Sequence, residues 1–146
     1  MSKESKAADP IELQPRQAYE MLQSNPQAVL IDIRSTMEHL MIGHPRDAIH
    51  IAWLDEPDWE PNPRFVSQVR EVMLGGLLGA EESNPPSVIL ICRSGRRSVE
   101  AGRKLIESGM NHVYHVSTGF EGPLDEDHHR STTAGWRFDG LPWQQC

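Results

Sequence analysis

The chain has 146 residues, with 14 Lys and Arg against 21 Asp and Glu, a formal net charge of −7 with histidines neutral. That length suits one domain, and 38% hydrophobic with 24% charged residues is the mix of a folded globular protein and excludes a disordered one. The acidic balance argues against general binding to nucleic acid or anionic membrane, both of which need a surplus of Lys and Arg.

Residues 1–9 read as a short solvated lead. Pro15 after Gln14 marks a helix start, and Ala18, Tyr19 and Leu22 share one face, so a helix is expected over 16–23, stopped by Asn25-Pro26. Residues 28–33, Ala-Val-Leu-Ile-Asp-Ile, form a nearly all-apolar run of the kind that becomes a buried parallel strand, with Asp32 near its carboxyl end. Ser35 or Thr36 caps a short helix over 37–41, which Gly43-His44-Pro45 breaks. A second strand is expected over 48–53, and residues 55–63, with three prolines and four acids, are a loop. Asn62-Pro63 opens a helix over 64–73 with Phe65, Val66, Val69, Val72 and Met73 inward.

The glycines at 75, 76 and 79 read as that helix's end, and residues 81–86 as a surface crossover. Residues 87–92, Ser-Val-Ile-Leu-Ile-Cys, are the clearest strand signal in the chain. A tight turn follows, then a helix over 97–108 closed by Gly109 and a strand over 111–116. Strand and helix alternate with short connections, which predicts an α/β domain with a mainly parallel sheet flanked by helices. The domain is expected over 10–123. Residues 124–146 are a charged and small-residue tail, and Trp136 and Trp143 indicate that it packs back on the domain.

Cys92 and Cys146 are too few for a disulfide scaffold and lack the close pairing of structural zinc sites. The longest apolar runs fall far short of the roughly twenty residues that span a bilayer, and residues 1–9 lack the apolar core of a secretory signal. A reducing cytoplasm is the expected setting, and there a lone internal thiol is free to react.

The informative segment is Cys92-Arg93-Ser94-Gly95-Arg96-Arg97-Ser98. A cysteine ends a buried strand, small and cationic residues turn the chain, and a helix begins. In open α/β sheets ligands bind at the carboxyl ends of strands, where this cysteine lies. Thiolates are favoured beside arginine and near helix N-termini, where unpaired N–H groups point outward. Arg93, Arg96 and Arg97 supply fixed positive charge, Gly95 permits a turn that strains other residues, and the N–H groups of residues 93–98 can converge on an anion held by the sulfur. The bland alternative makes Cys92 a small buried hydrophobe and the arginines ordinary surface charge. Strand, cysteine, glycine turn, three arginines and helix together favour the site.

These residues resemble the rhodanese family of sulfurtransferases, in its single-domain bacterial members. The likeness runs from about residue 15 to residue 122 and rests on Leu30-Ile31-Asp32-Ile33-Arg34-Ser35, Gly43-His44-Pro45-Arg46-Asp47-Ala48-Ile49-His50-Ile51, the 92–98 loop and Gly119-Phe120-Glu121-Gly122. The family usually has glycine where Asp47 stands, a position where aspartate tolerates a left-handed turn. The resemblance implies a single rhodanese-like domain and a two-step transfer. Cys92 thiolate takes the outer sulfur of a small anionic donor such as thiosulfate, sulfite leaves, and the Cys92 persulfide passes its sulfur to a thiophilic acceptor such as cyanide or a thiol. No metal and no cofactor beyond that covalent persulfide are implied.

The residues fit these roles. Loop N–H groups hold the persulfide, Arg93, Arg96 and Arg97 attract the donor and stabilise departing sulfite, and Ser94 and Ser98 add hydroxyl donors. Arg97 is the arginine most expected to face the anion, whereas Arg96 can as easily point to solvent. Asp32 and Arg34 match a family pair flanking the loop. They either support it, with Asp32 pairing to a loop arginine, or form an ion pair that serves the fold, the commoner case. His44 reads as a turn residue.

Two other readings stay open. Cysteine phosphatases and arsenate reductases of the same fold carry an arginine-rich loop, but their arginine is six positions after the cysteine, whereas Arg97 is five after Cys92. A protein-to-protein persulfide carrier within a sulfur relay is the other. The remaining signals are weaker. His112 and His115 are three apart on an expected strand and face opposite sides, so they cannot share a metal. His128-His129 are expected in solvent, Cys146 is a possible resolving thiol or an inert terminal residue, and residues 75–79 lack the ending of a phosphate loop. Residues 93–104 hold five of the 14 basic residues and one acid, so an acidic chain draws small anions to one loop.

Overall fold

The computed structural model describes residues 8–78 and 85–145. Residues 1–7 of the lead, residues 79–84 with most of the expected crossover, and Cys146 lie outside the described residues. In chain order the elements are β1 (Ile11–Leu13), α1 (Pro15–Ser24), β2 (Ala28–Asp32), a π-helical turn (Glu38–Ile42), β3 (His44–Pro45), β4 (Ile49–His50), α2 (Phe65–Leu78), β5 (Ser87–Ile91), α3 (Arg97–Glu107), β6 (Val113–Val116) and β7 (Trp143–Gln144). Five of the strands form one parallel sheet in the order β1-β6-β5-β2-β4, while β3 and β7 make a separate antiparallel pair.

Strand periodicity sorts the apolar residues onto two cores. Val88, Leu90 and Cys92 face α2 and α3, where Phe65, Val69, Met73, Ala101 and Leu105 meet them. Ile89 and Ile91 face the other way, onto Ala18 of α1 and onto Phe120, Trp136 and Leu141. All five residues of β5 are buried, as its uncharged β-branched sequence dictates. From β2 the chain moves outward to β4, and from β5 outward to β6 on the opposite side, so the sheet reverses direction between β2 and β5. Such a reversal opens a crevice at the carboxyl ends of the two central strands.

Several expectations are corrected. β1 was not anticipated: three residues on a sheet edge, one of them Glu12, carry no usable periodicity. The strand expected over 48–53 is reduced to Ile49–His50, although the chain stays extended enough for Ile51 and Trp53 N–H to donate to the Asp32 and Ile33 carbonyls. The helix expected to end before Gly75 runs to Leu78, so Gly75 and Gly76 do not stop it, while Gly79 lies outside the described residues. The short helix spans Glu38–Ile42 with π geometry; Ser35 Oγ accepts from Glu38 N–H at 3.2 Å and the Glu38 carboxylate accepts from Ser35 N–H at 3.1 Å, a reciprocal cap. Asp47 takes φ +71°, the left-handed turn expected of it. Trp136 is buried, donating its indole N–H to the Pro142 carbonyl, and Trp143 packs edge-on against Phe120 at 5.9 Å.

Candidate active site

β5 ends at the crevice and delivers Cys92 there, fully buried and, among the described residues, a free thiol. The chain then turns through residues 93–96 into α3, and two N–H groups converge on the sulfur: Gly95 at 3.2 Å and Ser98 at 3.4 Å. The thiol in turn donates to Ser98 Oγ at 3.5 Å. Gly95 has φ +104°, and a side chain there would overlap the Ser117 carbonyl, so the loop closes this tightly only with glycine. A second turn supports it from behind. Phe120 N–H donates to the Cys92 carbonyl at 2.8 Å, and Glu121 N–H to the Arg93 carbonyl at 2.9 Å.

Arg93 and Arg96 are exposed, Ser94 and Arg97 half-buried, and Gly95 and Ser98 buried. Cys92, Arg93, Ser94, Arg96 and Arg97 together enclose a recess of about 260 Å³. Arg97 is not free to turn wholly to an anion. Its guanidinium makes two bonds to the Glu38 carboxylate, at 2.9 and 3.0 Å. Burial works against charge on both partners. It is outweighed by their pairing, which lowers Glu38 and raises Arg97, and Cys92 adds to the pull on Arg97. Glu38 went unremarked in the sequence because it meets Arg97 from 59 residues away, through a fold-dependent contact.

Asp32 pairs with no loop arginine, contrary to one expectation. Its carboxylate binds Arg34 (Nε at 2.9 Å and Nη2 at 2.8 Å) and His39 Nδ1 at 2.7 Å. Arg34 is fully buried, donates also to the Gly43 carbonyl, and lies 4.5 Å over the Phe120 ring. The pair thus ties β2 to the Gly43 turn and to the residue that holds the Cys92 carbonyl. The His39 ring stacks between those of His44 and His50, at 3.9 and 4.4 Å, and His44, in β3 and not in the expected turn, places its Nδ1 2.7 Å from the His39 carbonyl. His112 is exposed and His115 buried, and among the described residues no cluster of His, Cys, Asp and Glu is arranged to hold a metal.

A cleft of about 580 Å³ adjoins the recess, sharing Arg93 and Arg97 with it and lined mainly by apolar surface from Met37, Met41, Leu54 and Trp59. Its apolar residues come from two separate stretches, residues 37–42 and 54–59, and neither alone carries the pattern.

A thiol held in an N–H cradle at the carboxyl edge of a parallel sheet is an arrangement chemically able to carry a group on sulfur. The chain belongs to the rhodanese-like domain family, whose model matches residues 14–125. It is 31% identical over 132 residues to an uncharacterised protein of Rickettsia conorii, covering 87% of this chain and 91% of that one. It is 29% identical over 137 residues to the thiosulfate sulfurtransferase GlpE of Actinobacillus pleuropneumoniae serotype 3, covering 90% of each. Among solved structures, Rv0390 from M. tuberculosis superposes with a TM-score of 0.79 at 36% identity, over 95% of this chain and all of that one. Among the described residues, no helix is long and apolar enough to cross a membrane.

Proposed function

We propose that this protein is a thiosulfate sulfurtransferase that carries a sulfane sulfur as a Cys92 persulfide. The observation that carries the reading is the convergence of the Gly95 and Ser98 N–H groups on a buried sulfur at the end of β5, with three arginines around the recess. Cys92 thiolate attacks the outer sulfur of thiosulfate, the sulfur–sulfur bond breaks with its electron pair leaving on sulfite, and the persulfide anion inherits the cradle. Arg93 and Arg96, exposed at the rim, draw the dianion in, and Arg97 offers the part of its charge that Glu38 does not neutralise. Ser94 contributes a polar contact to the recess, and Ser98 offers its N–H and hydroxyl to the sulfur from behind. Asp32 and Arg34 support the loop from below through Phe120.

The acceptor then attacks the outer sulfur and returns Cys92 as thiolate. The apolar cleft beside the recess favours a thiol with a carbon skeleton over cyanide as the working acceptor, and a protein thiol inserted there makes the domain a persulfide carrier in a sulfur relay. The free thiol suits a reducing, cytoplasmic setting.

Intact-mass spectrometry after incubation with thiosulfate tests the reading. The chain is expected to gain the mass of one sulfur atom, to lose it on adding cyanide, and to gain nothing as Cys92→Ser. Sulfur uptake by Cys92→Ser, or none by the wild type, overturns it. Loading by a cysteine desulfurase without loading by thiosulfate leaves the carrier.

A further inference from the structure

His115 is a buried histidine, 2% exposed, that the transfer described above does not use. It sits on β6 with the strand parity of Val113, so its ring faces α3, and its Nδ1 lies 2.7 Å from Ser98 Oγ. Ser98 is itself fully buried and its Oγ is 3.5 Å from Cys92 Sγ. Cysteine, serine and histidine therefore form one chain of contacts closed to solvent. Ser98 has one hydroxyl proton for three neighbours, Cys92 Sγ at 3.5 Å, the Gly95 carbonyl at 3.3 Å and His115 Nδ1, which at 2.7 Å is the nearest. While Cys92 is a thiol, S–H donates to Oγ and Oγ–H donates to a bare Nδ1. A thiolate needs that hydroxyl proton turned toward sulfur, which requires Nδ1 to carry a proton of its own and donate to Oγ.

We propose that His115 is the proton acceptor for Cys92, acting through Ser98. The S–H bond breaks and its proton bonds to Oγ, while the proton that Oγ held bonds to Nδ1. Two protons hop, for a net transfer of one from sulfur to the ring; the sulfur keeps the electron pair, and the thiolate gains a hydroxyl donor beside the Gly95 and Ser98 N–H groups. His115 is a positioning and proton-holding residue, since it touches no substrate. The neighbouring charges fit. Burial lowers His115 below the ordinary histidine range, which leaves Nδ1 free to accept, while Glu12, its register partner on β1, and Asp9 favour the protonated ring. On α3, Arg97 is turned to Glu38, Glu100 to the Trp53 indole and Arg103 to Asp9, and Lys104 and Glu107 are exposed. On β5 the facing titratable group is Cys92.

This rests on Cys92 being the nucleophile but not on the identity of the sulfur donor, so its test omits thiosulfate. In a Cys146→Ser background, the rate of Cys92 alkylation by iodoacetamide is followed across pH by intact mass. His115→Phe keeps an aromatic ring and removes the acceptor. Its profile is expected to move up by about one pH unit, with alkylation about tenfold slower at neutral pH. His115→Asn places an amide near the Nδ1 position that can orient the Ser98 hydroxyl but cannot take up a proton, and it is expected to recover little of that loss; full recovery overturns the proposal. Adding His115→Phe to Ser98→Ala is expected to slow alkylation no further, because the route already passes through Ser98. In the background fold itself, the ring nitrogen shifts of His115 are expected to titrate together with Cys92 reactivity. Coincident profiles for the background protein and His115→Phe, independent titration of the two groups, or full additivity in the double variant overturns the proposal. A chain that shows the coupling yet takes no sulfur from thiosulfate supports the relay and counts against the donor assigned above.

Discussion

Replacing Asp32 by Asn removes one charge from a pair that has no access to water, and the structure sets the size of the effect. Both partners are fully buried. Four donors reach the carboxylate: Arg34 N–H at 3.1 Å, Nε at 2.9 Å, Nη2 at 2.8 Å, and His39 Nδ1 at 2.7 Å. An Asn side chain fills the same space and keeps one oxygen, but its NH2 faces donors, and Arg34 is left charged in a dry site. Breaking one side of a buried pair costs about 3–5 kcal/mol. With a urea slope of about 2 kcal/mol/M, the unfolding midpoint at neutral pH should fall by roughly 2 M. A loss under about 1 kcal/mol, the value of an exposed pair, refutes the reasoning.

The pH dependence gives a second check on the same pair. Burial alone raises the Asp32 carboxyl, but the hydrogen bonds from His39 and Arg34 and the Arg34 charge outweigh it and hold the group far below the usual carboxylate range. A depressed folded value means the stability is fully present above the unfolded value of about 3.9 and is lost as pH falls toward the folded one, by up to about 1.4 kcal/mol per unit. The stability gap between wild type and Asp32→Asn should therefore narrow below about pH 4. A gap that holds constant into acid contradicts the assignment.

Gly95→Ala adds a side chain at φ +104° that overlaps the Ser117 carbonyl, so the loop must retreat and one N–H leaves the sulfur; Cys92 alkylation should slow by at least about tenfold, which competition with a reference thiol measures. Glu38→Gln releases Arg97 from its carboxylate partner, so the KM for thiosulfate should fall about two- to fivefold and depend more steeply on salt; an unchanged or higher KM removes Arg97 from donor binding.

The parts of the molecule that sequence revealed are those in which a local pattern and the tertiary role coincide. β2 and β5 are apolar runs with a polar residue only at one end, Asp32 and Ser87, because both of their faces are covered, and the 92–98 loop concentrates its glycine, its serines and its arginines in one stretch because a cradle is local by construction. The rest depends on chain segments meeting. Glu38 meets Arg97, and β7 meets β3, only once the sheet has folded, and a two-residue strand has no period to read. α2 passed Gly75-Gly76 because the cost of glycine in a helix, about 1 kcal/mol each, does not by itself end one. His112 is exposed and His115 buried, and the parity His115 shares with Val113 puts it on the face toward α3, although its contact with Ser98 across 17 residues exists only in the fold.

The cradle also bears on why sulfur and not phosphate is the expected cargo. A phosphoryl group on cysteine presents three oxygens, and a loop that serves it must ring them with N–H groups standing clear of the sulfur. Here the Gly95 and Ser98 N–H groups already point at Sγ itself, at 3.2 and 3.4 Å, and the arginine best placed to clamp an oxyanion is bound twice to Glu38. A persulfide adds one polarisable sulfur atom to the thiolate and no further charge, a smaller demand on the loop than three phosphoryl oxygens. The expectation is therefore quantitative in kind: thiosulfate should load Cys92, and an aryl phosphate should be hydrolysed no faster by the wild type than by Cys92→Ser. Glu38→Gln separates the two causes. If freeing Arg97 creates phosphatase activity, the ion pair was what prevented it; if the variant stays inactive, the geometry of the N–H groups is sufficient.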